Sequence, residues 1–169
     1  MQLTGHAHKF GDNVNTDYII SGKYKFATID MNELAVHLME DLRPNFYYEI
    51  KKGDFIVAGE NFGCGSSREQ APLVIKQAGI GAVLAKSFAR IFFRNAINIG
   101  LPVIEVSTDN IEEGDYIKVD LQKGIVENIT KNKILEIHPL SNEMLEILNS
   151  GGLVNFYKKY GSLEFRKID

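Results

Sequence analysis

The most informative stretch of this 169-residue chain reads Gly63-Cys64-Gly65-Ser66-Ser67-Arg68-Glu69. Its two glycines allow a sharp turn that exposes backbone N–H groups, and two hydroxyls and a guanidinium follow directly. The next residues, 69–78, have a helical pattern, so the serines would lie at a helix N-terminus, where free N–H groups and the helix dipole favour an anion. Arg68 adds a planar group suited to a carboxylate or a phosphate. An ordinary helix cap uses the same residue types, so the sequence alone leaves both an anion site and a cap open.

Strand and helix patterns alternate around this stretch. Short apolar runs predict strands, and apolar residues three and four apart predict helices. Asp30 is the predicted N-cap of the first long helix, and Pro44 is its predicted stop. The predicted strands are 55–58, 81–85 and 101–106, and the predicted helices are 31–42, 69–78 and 88–97. This β-α-β-α-β order favours a partly parallel sheet with helices packed against it.

Shorter alternating strands characterise the rest of the chain. One is predicted before residue 10, three more at 116–119, 125–128 and 134–137, and helices return over 142–160. The sequence therefore predicts an α/β fold with a partly parallel sheet and an antiparallel β portion. We expect residues 1–169 to form a single domain.

The composition excludes several classes of partner. The net charge of −3 and the absence of a basic stripe predict no binding to nucleic acid, and no apolar run approaches the length of a membrane helix. The first residues lack a signal-peptide pattern, and one cysteine suits a reducing compartment, so we expect a cytoplasmic protein. Cys64 alone cannot build an iron–sulfur or zinc site, and we interpret it as a small packing residue.

A second dense segment runs from Ser87 to Pro102. Arg90 and Arg94 are four residues apart and share a helix face. A solvated or ion-paired surface is the simplest interpretation, so we assign both arginines to structure or to a subunit interface. The four histidines have no metal-ligand spacing, and no metal site is predicted.

Taken together, four stretches resemble the small subunits of 3-isopropylmalate dehydratase, the swivelling domain of the aconitase superfamily. They are residues 11–20, 59–71, 87–102 and 151–153, and they follow in the expected order. The small subunits of homoaconitase and 2,3-dimethylmalate dehydratase are similar as well. The resemblance implies a swivelling-type β/β/α domain and a hydro-lyase that is active only with a large subunit, as a heterodimer or heterotetramer. It further implies that the large subunit, and not this chain, holds a [4Fe–4S] cluster, and that the substrate is a small dicarboxylate, most commonly in leucine biosynthesis.

The resemblance also implies roles for four residues. Ser66 matches the base that removes the proton next to a carboxylate. Ser67 and Arg68 match groups that bind the substrate carboxylate and stabilise the serine alkoxide. A serine hydroxyl is a poor base in water, so it needs the positive potential that Arg68 and a helix N-terminus supply. Asp17 matches an active-site aspartate, whereas by residue type alone it would be a turn residue.

The resemblance also implies a specificity loop after Asp17, in which we expect Tyr24, Lys25 and Phe26 to contact the substrate. The loop has no arginine, and Phe26 and Ala27 are apolar, which favours an alkyl-substituted malate over a substrate with a third carboxylate. Lys25 departs from the family pattern and could either pair with a carboxylate or reach solvent. A non-catalytic anion-binding or regulatory module of the same fold is the alternative from another functional class.

Overall fold

A seven-stranded mixed sheet spans the computed structural model, which describes residues 1–25 and 27–161. The strands are β1 (Gln2–Lys9), β2 (Phe55–Val57), β3 (Ala82–Ala85), β4 (Val103–Glu105), β5 (Tyr116–Asp120), β6 (Ile125–Asn128) and β7 (Lys133–Glu136). Their spatial order is β4-β3-β2-β1-β5-β6-β7. Neighbours from β4 to β1 are parallel, and neighbours from β1 to β7 are antiparallel. This arrangement confirms the predicted α/β fold with a partly parallel sheet and an antiparallel portion.

Helices cover the parallel half of the sheet. They are α1 (Thr16–Ile19), α2 (Gly22–Lys25), α3 (Met31–Ala35), α4 (Gln70–Gln77), α5 (Arg90–Asn98), α6 (Asn142–Asn149) and α7 (Leu153–Tyr160), with a 3₁₀ turn at Phe46–Glu49. Every residue of β2 and β3 is buried, because helices or loops lie on both faces of these strands. In the described part of the chain no helix is both long and apolar enough to cross a membrane.

The first long helix is shorter than its sequence pattern predicts. Asp30 does cap it, because its carboxylate accepts a hydrogen bond from the Asn32 N–H at 2.8 Å. The helix nevertheless ends at Ala35, so the predicted helix over 31–42 was wrong in its second half. Met39 adopts a left-handed φ of 57°, and its N–H donates to the Ile19 carbonyl at 3.0 Å. This tertiary bond satisfies an amide that a longer helix would have used internally.

The loops that follow β1, β2 and β3 meet at one edge of the sheet, where the parallel strands end. Single backbone hydrogen bonds between these loops continue the pairing of the strands beyond the sheet. The Gly63 N–H donates to the Val14 carbonyl at 2.7 Å, and the Phe62 N–H donates to the Ser87 carbonyl at 3.0 Å. In open α/β sheets this edge is where ligands bind, and the Ser66–Arg68 segment lies on it.

Candidate active site

The loop that carries the two serines is packed tightly against α5. Gly63 and Gly65 adopt φ values of 77° and 90°, a left-handed backbone that favours glycine. A Cβ on Gly63 would lie 2.2 Å from the Cγ of Phe92. The missing side chain therefore allows the serine loop to lie directly on the first turns of α5.

Helix α1 holds the other side of the serine loop. The Thr16 N–H donates to the Cys64 carbonyl at 2.9 Å, and its hydroxyl donates to the Ser66 carbonyl at 2.8 Å. The Asn15 side chain caps α1 by accepting from the Asp17 N–H at 2.8 Å. Two hydrogen bonds from Thr16 thus hold the backbone around Ser66, and the Ser66 side chain takes no part in them.

The serine hydroxyls face solvent. Ser66 and Ser67 are both exposed, and neither hydroxyl makes a hydrogen bond to any other residue that the structure describes. Helix α4 begins at Gln70, one residue later than predicted, and its cap residue Glu69 makes no side-chain cap bond. The serines therefore do not cap α4, and their hydroxyls are available to a ligand.

Arg68 connects the serine loop to α1. Its Nη1 donates to the Ile20 carbonyl at 3.0 Å, and its Nη2 forms an ion pair with the Asp17 carboxylate. The Arg68 side chain is 15% exposed, whereas that of Asp17 is 54% exposed. The structure thus brings together Ser66, Ser67, Arg68 and Asp17, the four residues that the resemblance singled out outside the specificity loop.

The specificity loop starts beside Arg68 and then turns away. A Cβ on Gly22 would lie 3.8 Å from the Arg68 Nη2. Two residues later the Tyr24 ring stacks on His37, with ring centroids 3.6 Å apart, and it is not part of the cleft lining described below. Lys25 is the last residue of α2, and Phe26 lies outside the described residues. Substrate binding by Tyr24, Lys25 and Phe26 stays a prediction.

A cleft of about 330 Å³ opens between the serine loop and α5. Its walls are formed by Thr16, Gly63, Gly65, Ser66, Ser67, Arg68, Ala89, Arg90, Ile91, Phe92 and Asn95. Two of these residues, Arg68 and Arg90, are cationic, and none is acidic. Ala89, Ile91 and Phe92 make the α5 wall largely apolar. The cleft therefore combines hydroxyls, two guanidinium groups and an apolar wall.

Sequence reasoning did not place Arg90 or Asn95 in this site. Arg90 was assigned to structure or to a subunit interface, together with Arg94. Of these two arginines only Arg90, the first residue of α5, lines the cleft, whereas Arg94 does not. A helix that starts just after a parallel strand has its first residue at the ligand-binding edge of the sheet, and this signal was present in the sequence.

The electrostatics of the cleft favour an anion. The chain carries a formal charge of −3, but the cleft walls carry two positive charges and no negative one, although Asp17 pairs with Arg68 from outside the walls. The first turns of α4 and α5 both lie at this edge, and their helix dipoles add positive potential. Such a potential binds carboxylates and stabilises a hydroxyl in its ionised form.

Histidines and carboxylates cluster elsewhere, at the junction of β1 and β2. His8 Nε2 lies 2.9 Å from the Asp54 carboxylate, which also accepts the N–H groups of His6 and Lys51 at 3.0 and 2.9 Å. Burial alone would raise the pKa of Asp54, but these hydrogen bonds outweigh it and lower the pKa below its ordinary value. We interpret the cluster as structural.

Metal-ligating side chains do not converge in the described part of the chain. No group of three or more His, Cys, Asp or Glu side chains there could hold a metal ion. An iron–sulfur cluster is usually held by several cysteine thiolates, and the sequence has one cysteine. The residues present do not fit such a cluster.

A larger cleft of about 820 Å³ lies at the opposite end of α4. Tyr47, Lys52 and Lys76 are among its walls, and none of the predicted site residues is. The Lys76 ammonium donates to the Ile99 carbonyl at 2.6 Å, and burial lowers its pKa. The same ammonium also donates to the Gly151 carbonyl at 3.3 Å, so this lysine is engaged with backbone and the smaller cleft is the candidate site.

Comparison with known proteins identifies the family of this chain. Residues 7–109 match the model of the aconitase C-terminal domain family, and this segment contains the whole cleft lining. The chain belongs to this family. A protein named 3-isopropylmalate dehydratase small subunit 2 from Archaeoglobus fulgidus is 54% identical over 97% of this chain and 99% of its own length.

Two further relatives refine the comparison. A protein named methanogen homoaconitase small subunit, from Methanothermobacter thermautotrophicus, is 53% identical over 93% of this chain and 91% of its own length. The crystal structure titled 3-isopropylmalate dehydratase from Methanocaldococcus jannaschii superposes with a TM-score of 0.91 and 53% identity. That comparison covers 95% of this chain and 96% of the other. The family fold therefore extends over nearly all of this chain.

Proposed function

We propose that this chain is the small subunit of a hydro-lyase that interconverts the 2- and 3-hydroxy isomers of an alkyl-substituted malate, with 3-isopropylmalate as the substrate. The observation that carries the proposal is the pair of free serine hydroxyls beside two guanidinium groups in a cleft without acidic side chains. The names of relatives more than half identical to the chain agree with it. Residues 1–169 would act as one swivelling domain in the cytoplasm.

Ser66 is the proposed base. Its Oγ takes the proton from the carbon next to a substrate carboxylate, the C–H electron pair forms the double bond, and the hydroxyl group leaves from the neighbouring carbon. Return of the Ser66 proton to the carbon that lost the hydroxide, and of hydroxide to the carbon that lost the proton, gives the isomer. The positive potential of Arg68 and of the first turn of α4 favours the alkoxide that this step requires.

Ser67 and Arg68 are the proposed carboxylate-binding groups, and Asp17 is the residue that positions Arg68. The Asp17 carboxylate and the Ile20 carbonyl hold the guanidinium from one side. A fixed guanidinium orients a carboxylate at little entropic cost. The [4Fe–4S] cluster of the proposed large subunit, and not this chain, would supply Lewis-acid chemistry for the departing hydroxyl.

A homoaconitase small subunit is the second candidate, because a relative with that name is 53% identical over most of the chain. The substrates of the two candidates differ, because homoaconitase substrates carry a third carboxylate. The apolar α5 wall, with Ala89, Ile91 and Phe92, would desolvate that charge without a partner and so favours an alkyl group. Lys25 is the residue that could reverse this preference.

The experiment is reconstitution with a cluster-loaded large subunit from the same organism, followed by kcat/KM for 3-isopropylmalate, 2,3-dimethylmalate and homoisocitrate. We expect 3-isopropylmalate to be the best substrate. Ser66→Ala should lower kcat by about 10²–10⁴-fold, the usual contribution of a general base, with KM and subunit assembly retained.

Ser107→Ala provides a matched control, because Ser107 is an exposed serine outside the cleft. A preference for homoisocitrate would establish the second candidate. No turnover of any malate with an intact cluster would favour a non-catalytic module, whereas full activity of Ser66→Ala would show that Ser66 is not the base.

A further inference from the structure

We propose that Arg90 is the second carboxylate-binding residue of this site, opposite Arg68, and that the two guanidinium groups together select a dicarboxylate. This inference rests on the proposed function, because it concerns the same cleft. It differs from the sequence-based interpretation of Arg90 as a surface or interface residue.

The first step is that Arg90 has an unused guanidinium. Arg90 is exposed and makes no ion pair or hydrogen bond with any other described residue. Several other cations on this protein have partners: Arg43 pairs with Glu113 at 3.0 Å, and Lys131 pairs with Glu112 at 3.1 Å. The Arg90 side chain is therefore available to an external anion at no cost in internal contacts.

The second step is that Arg68 is already partly committed. One of its terminal nitrogens donates to the Ile20 carbonyl, and the other pairs with Asp17. By itself, Arg68 has enough remaining N–H groups to bind one carboxylate. A substrate with a second carboxylate needs a second cation, since a charge taken out of water without a partner is costly.

The third step is the charge balance of the cleft. Among the described residues that line it, Arg68 and Arg90 are the cationic ones, and no acidic residue lines it, although the Asp17 carboxylate pairs with Arg68 from outside the lining. Arg90 therefore supplies the unpaired positive charge that a second carboxylate of the ligand needs. Asn95, one helical turn beyond Ile91 on the same wall, adds an amide that can hydrogen-bond the same ligand.

Arg94 offers a matched control. It has the same charge, lies on the same helix, is exposed and has no described partner, but it does not line the cleft. In the assembled enzyme we expect Arg90→Gln to raise KM for the dicarboxylate at least tenfold, with kcat changed less than threefold. Arg94→Gln should stay within twofold of the parent, and Arg90→Lys should recover part of the loss because it restores the charge.

A binding measurement on the isolated full chain separates this inference from the proposed reaction. NMR titration at constant ionic strength would compare maleate with isocrotonate, in which a methyl group replaces one carboxylate. The parent and Arg94→Gln should prefer maleate, and Arg90→Gln should lose that preference. This comparison decides the role of Arg90 even if the assembled enzyme turns over no malate, an outcome that would refute the proposed function alone.

Two results would overturn the inference. One is an Arg90→Gln variant with the parent's KM and the parent's preference for maleate. The other is an Arg90→Gln variant that binds the large subunit more weakly but has an unchanged KM once saturated with it. The second result would make Arg90 an interface residue that pairs with a carboxylate of the partner protein.

Discussion

Replacing Gly63 by alanine tests whether the serine loop depends on close packing against α5. The backbone there has a φ of 77°, and alanine in this left-handed conformation costs about 1–2 kcal/mol. The added Cβ would also lie 2.2 Å from the Cγ of Phe92. The Phe92 ring is buried and lies against Phe62 and Phe88, with centroids 5.2 and 6.3 Å away, so it cannot swing aside. Forced overpacking of this kind costs about 1–3 kcal/mol, and the total is about 2–5 kcal/mol.

Gly114→Ala is the matched control for this variant. Gly114 has a similar φ of 81°, but no atom lies within 4 Å of a Cβ built there. Its substitution should therefore cost only the backbone contribution of about 1–2 kcal/mol. Urea unfolding of the two variants and the parent, compared at equal m-values, gives the difference that the Phe92 contact causes. Equal losses in the two variants would refute the close approach of the serine loop to α5.

Three further predictions concern the contacts of the site and of the core. Arg68→Lys keeps the charge but loses the planar fork that holds Ile20 and Asp17, so KM of the assembled enzyme should rise about tenfold, and an unchanged KM would remove Arg68 from the site. Thr16→Val keeps the shape of the side chain but loses the hydrogen bond to the Ser66 carbonyl. The free energy of unfolding should therefore fall by about 1 kcal/mol, and kcat of the assembled enzyme should fall as well. An unchanged kcat would show that α1 does not position Ser66. Asp54→Asn should lower stability at pH 7 by about 1.5–3 kcal/mol. Because the folded pKa of Asp54 is lowered, its contribution is present above the unfolded value of 3.8 and is lost as pH falls below it. Unfolding curves from pH 7 to pH 2.5 should therefore converge for Asp54→Asn and the parent, and a constant gap would contradict this account.

The sequence predicted those parts of the fold that depend on residues close together in the chain. β2 and β3 are buried on both faces, so they read as continuous apolar runs. The serine loop combines glycines with polar residues over a few positions, and it could be recognised without knowledge of the rest of the fold. In contrast, the helix predicted to reach residue 42 ends at Ala35, because the Met39 N–H bonds to a residue distant in sequence. Periodicity carries no information about such a tertiary bond.

The missed part of the site has the same origin. Arg90 and Arg94 are alike in type, exposure and helix, so residue type did not separate them, and the one usable signal was the place of Arg90 at the start of its helix. What separates them is the position of α5 against the serine loop, which depends on the contact between Gly63 and Phe92. That contact joins two segments that are far apart in sequence. The local motif therefore predicted one wall of the cleft, and the tertiary packing supplied the other.

The exposure of the two serines explains why such a site would need a partner to become active. A serine hydroxyl in contact with bulk water is a poor base, because water solvates and screens the charges that would favour its alkoxide. Here both hydroxyls face solvent at the mouth of an open cleft, although the guanidinium of Arg68 is largely buried. A large subunit that closes over the cleft would exclude water, and the potential from Arg68, Arg90 and the two helix N-termini would then act at low dielectric. On this argument we expect the isolated chain to bind dicarboxylates weakly and to catalyse no reaction, and we expect the same residues to become effective once the cleft is covered.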